Sequence, residues 1–425
     1  MIYIVKNWDK LEYIANTFGV TMERLRRDNG LAPDQPPVPG QALVILRPRE
    51  SFTVQRGDTL YGIASKTGVP LPELLRNNPE AAMADALYPG ETLVLSYETG
   101  ETFPLRLGGY AYPHTPSDPL RRALPFLDTL SVFSYGFRED GSLVIPEDGR
   151  LLAEAERFGA VPVLVFTSVD ESGAFSSQRA GQLFHSPAMQ ERVADALIFE
   201  MKAKGYGGID ADFEYIPPED AEGYYAWLGG LRDRLHAEGF FLHVDLAPKT
   251  HPEQPGLLYE AHNYPVIGAI ADRALVMTYE WGYAYGPPMA VAPLPQVTQV
   301  LRYAVTEIPS WKVEMGLPNY GYDWTLPYEK ERRAVTVGNQ EAVRLAAEAG
   351  AVIQYDETAR SPFFTYVKKG EEHIVWFEDA RSIGEKLALA RSLSLSGGTW
   401  WNLLRPFAQS WSLVSDTVRT VKERE

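Results

Sequence analysis

Three acidic side chains alternate with apolar ones in one short stretch of the sequence. Asp210, Asp212 and Glu214 stand two residues apart, and each gap between them holds an apolar residue. Successive side chains of a β-strand point to opposite faces, so this spacing predicts three carboxyl groups on one face. Such carboxyls lie about 7 Å apart and disfavour each other's ionisation, so at least one is expected to stay protonated near neutral pH. A protonated acid beside ionised ones can cleave a glycosidic bond.

The residues that follow indicate where these acids lie along the strand. Pro217 and Pro218 are expected to end it. Glu214 would then lie at the carboxyl end, where barrel enzymes keep their catalytic groups. The alternative is an edge strand with a solvated acidic face, because alternation of this kind is ordinary in sheets.

The chain around this stretch predicts a barrel. Apolar, strand-like runs alternate with helix-like runs across residues 98–425, which is typical of a parallel sheet with crossover helices. Eight runs are predicted as strands: 106–112, 130–136, 161–167, 208–214, 241–247, 273–279, 312–318 and 398–403. Eight is the number that a closed (β/α)8 TIM barrel needs, so the fold class is predicted as α/β.

One gap between the predicted strands is too long for a single helix. Residues 323–376 contain a helix-like run at 339–349 and then a hairpin-like run that turns at Lys369 and Gly370. A structureless loop of this length would be unusual in a compact domain. The sequence therefore predicts a small α+β insertion after strand 7.

The first 97 residues contain an internal repeat. The run from Tyr3 to Val20 is echoed by the run from Phe52 to Val69 at a constant offset of 49 residues. A repeat of this period predicts two copies of one supersecondary unit, here residues 1–48 and 49–97. Each copy is expected to form a strand, two short helices and a strand, with Asp9 or Asp58 capping the first helix.

The acidic stretch resembles the strand-four signature of glycoside hydrolase family 18, the chitinase family. That signature runs Asp-Gly-x-Asp-x-Asp-x-Glu, and Gly208, Asp210, Asp212 and Glu214 match it, while Gly207 replaces the first Asp. The longer run at 212–220 is similar to the spore cortex-lytic glucosaminidases within the family.

Later strand ends carry further resemblance to family 18. The run at 277–280 is similar to the Met-x-Tyr-Asp motif, with Glu in the last place, and the run at 316–324 matches Gly-x-Pro-x-Tyr-Gly-x-x-Trp. The resemblance implies a reaction in which the substrate's own acetamido group attacks the sugar. Glu214 is then expected to act as the general acid, Asp212 to orient the acetamido group, Asp210 to hold Asp212, and Tyr279 to donate to the acetamido oxygen.

The resemblance also implies a substrate-binding set. Trp401 stands where the family has an aromatic platform beneath the sugar, and Met277 is expected to complete the apolar floor. Five residues make up the whole expected set: Met277, Trp401, Tyr110, Tyr320 and Asn319.

The repeated N-terminal units resemble LysM modules. Residues 54–60 of the second copy are close to the LysM pattern, whereas the first copy has Asn7 and Trp8 where Arg56 and Gly57 stand in the second. The resemblance implies binding to N-acetylglucosamine oligomers and above all to peptidoglycan glycan strands. The alternative is a pair of spacer domains that bind nothing.

Composition limits the remaining function classes. The 56 acidic residues outnumber the 40 basic ones, and the formal charge of −16 argues against nucleic acid or an anionic membrane as partner. Without cysteine there is no disulfide, thiolate ligand or cysteine nucleophile. The seven histidines show no HxxxH spacing, so neither a metal nor a cofactor is expected. Charged residues interrupt the first thirty positions, so no signal peptide is predicted.

These observations predict a retaining peptidoglycan β-N-acetylglucosaminidase that acts on spore cortex. We expect a monomer that is synthesised in the cytoplasm and associates with the spore coat or cortex. One alternative is a chitinase or a chitobiose-type endo-glucosaminidase with the same chemistry. Another is a chitinase-like lectin, although such proteins commonly lose the catalytic acid and Glu214 is present here.

Overall fold

The structure is a computed structural model that describes residues 1–84, 86–170 and 173–422. Its first unit contains β1 (Ile2–Ile4), α1 (Leu11–Phe18), α2 (Met22–Asn29) and β2 (Ala42–Val44). The two strands pair antiparallel, and the helices close over them. Apolar side chains from α1, α2, β2 and the residues that follow β1, α2 and β2 form one small core: Val5, Leu11, Ile14, Ala15, Leu25, Leu31, Leu43 and Ile45.

The second unit repeats this arrangement with one addition. It contains β3 (Pro48–Thr53), α3 (Leu60–Thr67), α4 (Leu71–Asn77), α5 (Pro79–Met83) and β4 (Thr92–Tyr97). The short helix α5 has no counterpart in the first copy. The helix α5 begins at Pro79. Proline suits the first turn of a helix because it has no backbone N–H, and the N–H groups of that turn have no partner within the helix.

The prediction that Asp9 and Asp58 cap the first helix of each unit is wrong. Asp9 Oδ2 accepts from the backbone N–H of Lys6 at 2.8 Å, and Asp58 Oδ2 accepts from that of Gln55 at 2.8 Å. Each aspartate lies one residue before the cap position, so its carboxylate closes the preceding turn. In the second unit the cap is Thr59, whose hydroxyl accepts from the backbone of α3.

Eight parallel strands close into a barrel after the repeated units. They are β5 (Phe103–Ala111), β6 (Thr129–Phe137), β8 (Val161–Thr167), β9 (Gly208–Asp212), β10 (Phe241–Leu246), β11 (Arg273–Val276), β12 (Val313–Pro318) and β18 (Gly397–Trp401). Each strand pairs with its neighbours in this order, and pairing of β18 and β6 with β5 closes the ring. The predicted (β/α)8 barrel is therefore confirmed.

Helices cover the outside of the barrel. They are α6 (Ser117–Ala123), α7 (Gly149–Phe158), α8 (Ser177–Phe184), α9 (Pro187–Lys204), α10 (Ala221–Ala237), α11 (Tyr264–Ile270), α12 (Leu294–Glu307), α14 (Ala380–Ser392) and α15 (Ala408–Thr417). Short 3-10 turns lie at Leu124–Phe126, Pro218–Asp220 and Ser310–Lys312. Within the described ranges, no helix combines the length and apolar character that a membrane crossing requires.

Two short strands extend the barrel sheet. β7 (Leu143–Val144) pairs antiparallel with β6, and β19 (Val418–Thr420) pairs parallel with β5. The largest apolar core lies between the strands and the helices that surround them.

A separate sheet follows β12. It contains β13 (Gly321–Leu326), β14 (Val335–Val337), β15 (Gln354–Asp356), β16 (Ser361–Lys368) and β17 (Glu371–Trp376), with α13 (Asn339–Ala349) packed against it. The strand order is β14-β13-β17-β16-β15. Lys369 and Gly370 connect β16 to β17 with φ angles of 53° and 85°, as a two-residue hairpin with left-handed turn residues requires.

The first repeated unit packs directly on the barrel through buried polar contacts. Gln409 of α15 donates through Nε2 to Asn29 Oδ1 at 3.1 Å and to the carbonyl of Ala42 at 2.7 Å. The two repeated units also contact each other, since Arg24 donates to the hydroxyl of Tyr97 at 2.7 Å. These contacts fix the position of the first unit on the barrel.

Several barrel strands end earlier than predicted, and two of these ends change the position of a predicted site residue. β9 ends at Asp212 and β11 ends at Val276, so Glu214 and Tyr279 lie on the loops that follow. Pairing between β9 and β10 stops at Ala211 and Val244. Because the strands separate beyond this point, the barrel opens into a mouth at its carboxyl end.

Candidate active site

A buried hydrogen-bonded trio occupies the barrel beneath this mouth. Asp210 on β9 and Asp245 on β10 are 2% and 3% exposed. Tyr110 Oη lies 2.6 Å from Asp210 Oδ2 and 2.8 Å from Asp245 Oδ1. The phenol has one proton to donate, so the second contact requires that one of the two carboxyls is protonated and donates to Oη. The trio therefore stores a proton in the barrel interior.

Burial is the main cause of the raised pKa values of these acids. It raises the pKa of Asp210 to about 7, and the pKa of Asp245 lies well above its usual value because of burial and then the charges of Asp210 and Asp212. Asp212 behaves in the same way, with its pKa raised first by burial and then by Glu214 and Asp210. In the part of the chain that the structure describes, none of these acids forms an ion pair with a lysine or arginine.

Asp212 is the last residue of β9 and follows Asp210 on the same face of the strand. Its side chain is buried, and Oδ1 accepts no hydrogen bond from the described residues. A buried carboxylate oxygen without a donor is costly unless a ligand supplies one. This atom is therefore suited to receive an N–H from a molecule in the mouth.

Glu214 is partly exposed at the base of the mouth. Burial, followed by the nearby charge of Glu280, raises its pKa to about 7. Half of the Glu214 side chains would then carry a proton near neutral pH. This property suits a group that first donates a proton and later accepts one.

An apolar floor lies beside the acids. The ring of Trp401 is half-exposed and packs at 5.2 Å from Tyr110 and 5.0 Å from Phe133, measured between ring centroids. Met277 is half-buried on the loop after β11. The indole of Trp401 is therefore an aromatic surface that solvent partly reaches, next to the acids.

Tyr279 projects from the loop after β11 and is 9% exposed. Burial and then the charges of Asp245 and Asp212 keep its pKa well above the usual value, so the phenol retains its proton and can donate. Gly316 on β12 makes room for this ring, because a Cβ there would lie 2.6 Å from Tyr279 Cε1. The position of the Tyr279 ring therefore requires a glycine at residue 316.

A second carboxyl, Glu280, faces the mouth from the next residue. Its backbone is left-handed, with φ of 68°. Tyr320 and Tyr322 both donate hydrogen bonds to Glu280 Oε1, the latter at 2.9 Å. Desolvation of its carboxyl group raises the pKa of Glu280, although the residue as a whole is exposed to solvent.

The predicted catalytic residues lie together in the structure. Three of the predicted site residues, however, make contacts that differ from the predicted ones. Asp210 was expected to hold Asp212, and its observed partners are Tyr110 and Asp245. Tyr110 is only 1% exposed and lies beneath Trp401, so it cannot line the sugar directly. Asn319 donates both amide hydrogens at 2.8 Å to backbone carbonyls of residues 402 and 405 and so anchors the loop after β18.

Sequence reasoning missed Asp245. The signal was present, because His243 and Asp245 alternate with apolar residues along β10 just as the acids do along β9. Neighbouring parallel strands with the same alternation point their polar residues to the same barrel interior. Among the described residues, no cluster of three or more histidine, aspartate or glutamate side chains has the arrangement of a metal site.

Comparison with known proteins gives two family matches. The sequence model described as "Glycosyl hydrolases family 18" matches residues 168–405. The model described as "LysM domain" matches residues 3–46 and 52–96.

Several known proteins are similar to this one over most of the chain. The "Cortical fragment-lytic enzyme" of Bacillus subtilis (strain 168) is 41% identical over 71% of this chain and 70% of its own length. The protein of the same name from Bacillus anthracis is 33% identical over 99% of both chains. Among solved structures, the Bacillus cereus spore cortex-lytic enzyme SleL superposes with a TM-score of 0.84, at 34% identity over 99% of this chain and 98% of that one.

Proposed function

We propose a specific reaction for this chain, which belongs to glycosyl hydrolase family 18. The chain is a glycoside hydrolase, and we assign to it the retaining hydrolysis of bonds that follow N-acetylglucosamine in spore-cortex peptidoglycan. Two neighbouring groups carry the proposal: Glu214, whose pKa is raised to about 7, and Asp212, whose buried Oδ1 accepts no hydrogen bond from the part of the chain that the structure describes.

In the first step the acetamido carbonyl oxygen of the substrate attacks the anomeric carbon. Glu214 gives its proton to the glycosidic oxygen, so that the bond breaks and the leaving sugar departs as an alcohol. Asp212 accepts the acetamido N–H, which orients the carbonyl oxygen and stabilises the positive oxazolinium that forms. Asp210 and Asp245 hold the buried proton that lets Asp212 carry this charge.

In the second step the ionised Glu214 takes a proton from water. The water adds to the anomeric carbon on the face that the leaving group vacated, and the ring of the oxazolinium opens. Two inversions give overall retention of configuration. Tyr279 donates to the acetamido oxygen in the first step, while Trp401 and Met277 hold the apolar face of the sugar.

The proposed substrate rests on the relatives and on the LysM units. Two relatives are named for lysis of cortical fragments, and each is similar to this chain over more than two thirds of its length. LysM domains at 3–46 and 52–96 would hold the enzyme on the same polymer, where two linked sites raise the effective concentration. We place the protein at the spore cortex as a monomer, with peptidoglycan and N-acetylglucosamine oligomers as its partners and without nucleic acid or membrane.

Digestion of purified cortex fragments tests this proposal directly. We expect products that carry N-acetylglucosamine at the new reducing end, identified by mass spectrometry after borohydride reduction. Chitin oligomers of matched length serve as the comparison substrate. Faster cleavage of chitin than of cortex would favour the chitinase alternative, and binding of both without any product would favour the lectin.

Trp8 supplies a separate prediction about the first LysM unit. Its side chain is 97% exposed, and its backbone is left-handed with φ of 73°. The equivalent residue of the second unit is Gly57, with φ of 91°, for which this conformation costs little. An exposed tryptophan in a strained turn opposes folding, so we expect it to serve as a sugar-stacking platform.

Replacement of Trp8 by glycine should therefore separate stability from binding. W8G should raise the free energy of unfolding by about 1 kcal/mol, because the strain is released. Retention on insoluble peptidoglycan in a sedimentation assay should fall several-fold. The reciprocal variant G57W should lose stability at the same turn. Unchanged retention of W8G would assign Trp8 no part in glycan binding.

A further inference from the structure

One buried histidine outside the set of reacting groups joins the ends of two barrel strands. His262 lies just before α11 and is 1% exposed. Its Nδ1 accepts from the backbone N–H of Ala247 at 2.9 Å, and its Nε2 lies 3.2 Å from the carbonyl oxygen of Phe213. Because Ala247 is the donor at Nδ1, the ring proton must be on Nε2, which donates to Phe213.

The ring stands where the barrel sheet opens. The last paired residues of β9 and β10 are Ala211 and Val244. Beyond them the backbone N–H and C=O groups of the two strands no longer meet, and buried groups of this kind must find other partners. His262 supplies one donor and one acceptor and so continues the connection between the strands after direct pairing has ended.

This connection is adjacent to the general acid. The carbonyl of Phe213 belongs to the same peptide group as the backbone nitrogen of Glu214, so its hydrogen bond fixes the plane from which the Glu214 side chain departs. The next residue, Tyr215, is left-handed with φ of 57°. Glu214 therefore lies in a sharp turn beyond the end of β9, with His262 holding the peptide group before it.

Burial keeps this ring neutral. The pKa of His262 is lowered to about 4, chiefly by burial, and the Lys249 charge contributes in the same direction. The neutral ring is the form that can accept at Nδ1 and donate at Nε2 at once. Both contacts are therefore available together under the conditions in which Glu214 carries out its two proton transfers.

We propose that His262 is a positioning residue for Glu214. It fixes the plane of the Phe213–Glu214 peptide group, so that the Glu214 carboxyl group reaches the glycosidic oxygen. His262 itself does not touch the substrate. This inference rests on the role of Glu214 in the proposed function.

Tyr264 offers a matched control from the same segment. Its hydroxyl donates to the carbonyl of Ala247 at 2.6 Å and accepts from the backbone N–H of Lys249 at 3.0 Å. Like His262, it is buried, at 1% exposure, and satisfies two backbone groups. Its hydroxyl bonds are confined to the chain after β10, and its ring stacks on Tyr303 of α12, so neither contact involves the peptide group before Glu214. The variant Y264F, which lacks this hydroxyl, therefore shows how general loosening of the same region affects stability and rate.

The experiment compares H262L, H262Q and Y264F in the full chain, with Tm and steady-state kinetics on an N-acetylglucosaminide that the native protein cleaves. H262L should lower kcat by about 10²-fold with KM changed by less than about threefold, because displacement of a reacting group by about 1 Å has this cost. H262Q should recover part of the loss, since its amide offers both a donor and an acceptor. Y264F should lower Tm while kcat stays within about threefold of native.

Two results would overturn the inference. One is an equal fall in kcat for H262L and Y264F, and the other is a glutamine variant no better than leucine. If H262L does not fold, H262N replaces it, because its shorter amide cannot reach both backbone groups and should rank below H262Q. Absence of turnover by the native protein would instead reject the proposed function, so the two failures are distinguishable.

Discussion

Glu214→Gln should lower kcat by about 10⁴-fold, the upper end of the range for a general acid–base residue. The effect should be this large because one carboxyl group serves both steps, first as acid and then as base. The amide keeps the size and the hydrogen-bonding capacity of the side chain but cannot transfer the proton. Binding of an N-acetylglucosamine oligomer, measured by calorimetry, should change by less than about threefold.

The pH profile of the native protein provides a second measure of the same group. Since burial raises the pKa of Glu214 to about 7, the acid is protonated below that pH and ionised above it. We therefore expect kcat/KM to fall as the pH rises through about 7. The exposed Glu219, which lies five residues along the chain, gives the matched control E219Q, and this variant should keep both the rate and the profile. Turnover by E214Q at the native rate would remove Glu214 from the mechanism.

Removal of the N-acetyl group from the substrate should abolish turnover, with a fall in kcat of at least about 10³-fold. The nucleophile in the proposed reaction is the acetamido carbonyl oxygen, so a glucoside or a de-N-acetylated oligomer has no group to attack the anomeric carbon. Asp212 does not replace this nucleophile, because its carboxyl group is buried beneath the mouth and is assigned to the acetamido N–H.

The comparison requires substrates that differ at one position only. Aryl glycosides of N-acetylglucosamine oligomers and of the matching glucose oligomers share the same leaving group, and product release is followed by absorbance. Inhibition of the hydrolysis of the N-acetylglucosamine compound by the glucose compound measures separately how tightly the glucose compound binds. Efficient hydrolysis of the glucoside would contradict the acetamido role and leave the assignment of Glu214 as an acid untouched.

The periodicity of apolar residues along the sequence predicted much of the architecture. The alternation of apolar runs with helix-like runs predicted eight barrel strands, and all eight are present. The two-residue turn at Lys369 and Gly370 also lies where the sequence predicted it, because a glycine between two strand-like runs is a local signal for a turn with left-handed backbone. Strand ends were less predictable. β9 stops at Asp212 and not at Glu214, since the end depends on where the neighbouring strand separates.

The sequence by itself determined that this chain is a barrel with two LysM units. It also determined that Asp210, Asp212 and Glu214, which are two residues apart, lie at the carboxyl end of one strand. Tertiary structure alone decided which groups meet: Tyr110 with Asp210 and Asp245, and His262 with Phe213 and Ala247. These partners are 15 to 135 residues apart in the chain. Periodicity reports which face a side chain occupies, whereas the contacts that set protonation and orientation arise only when the barrel closes.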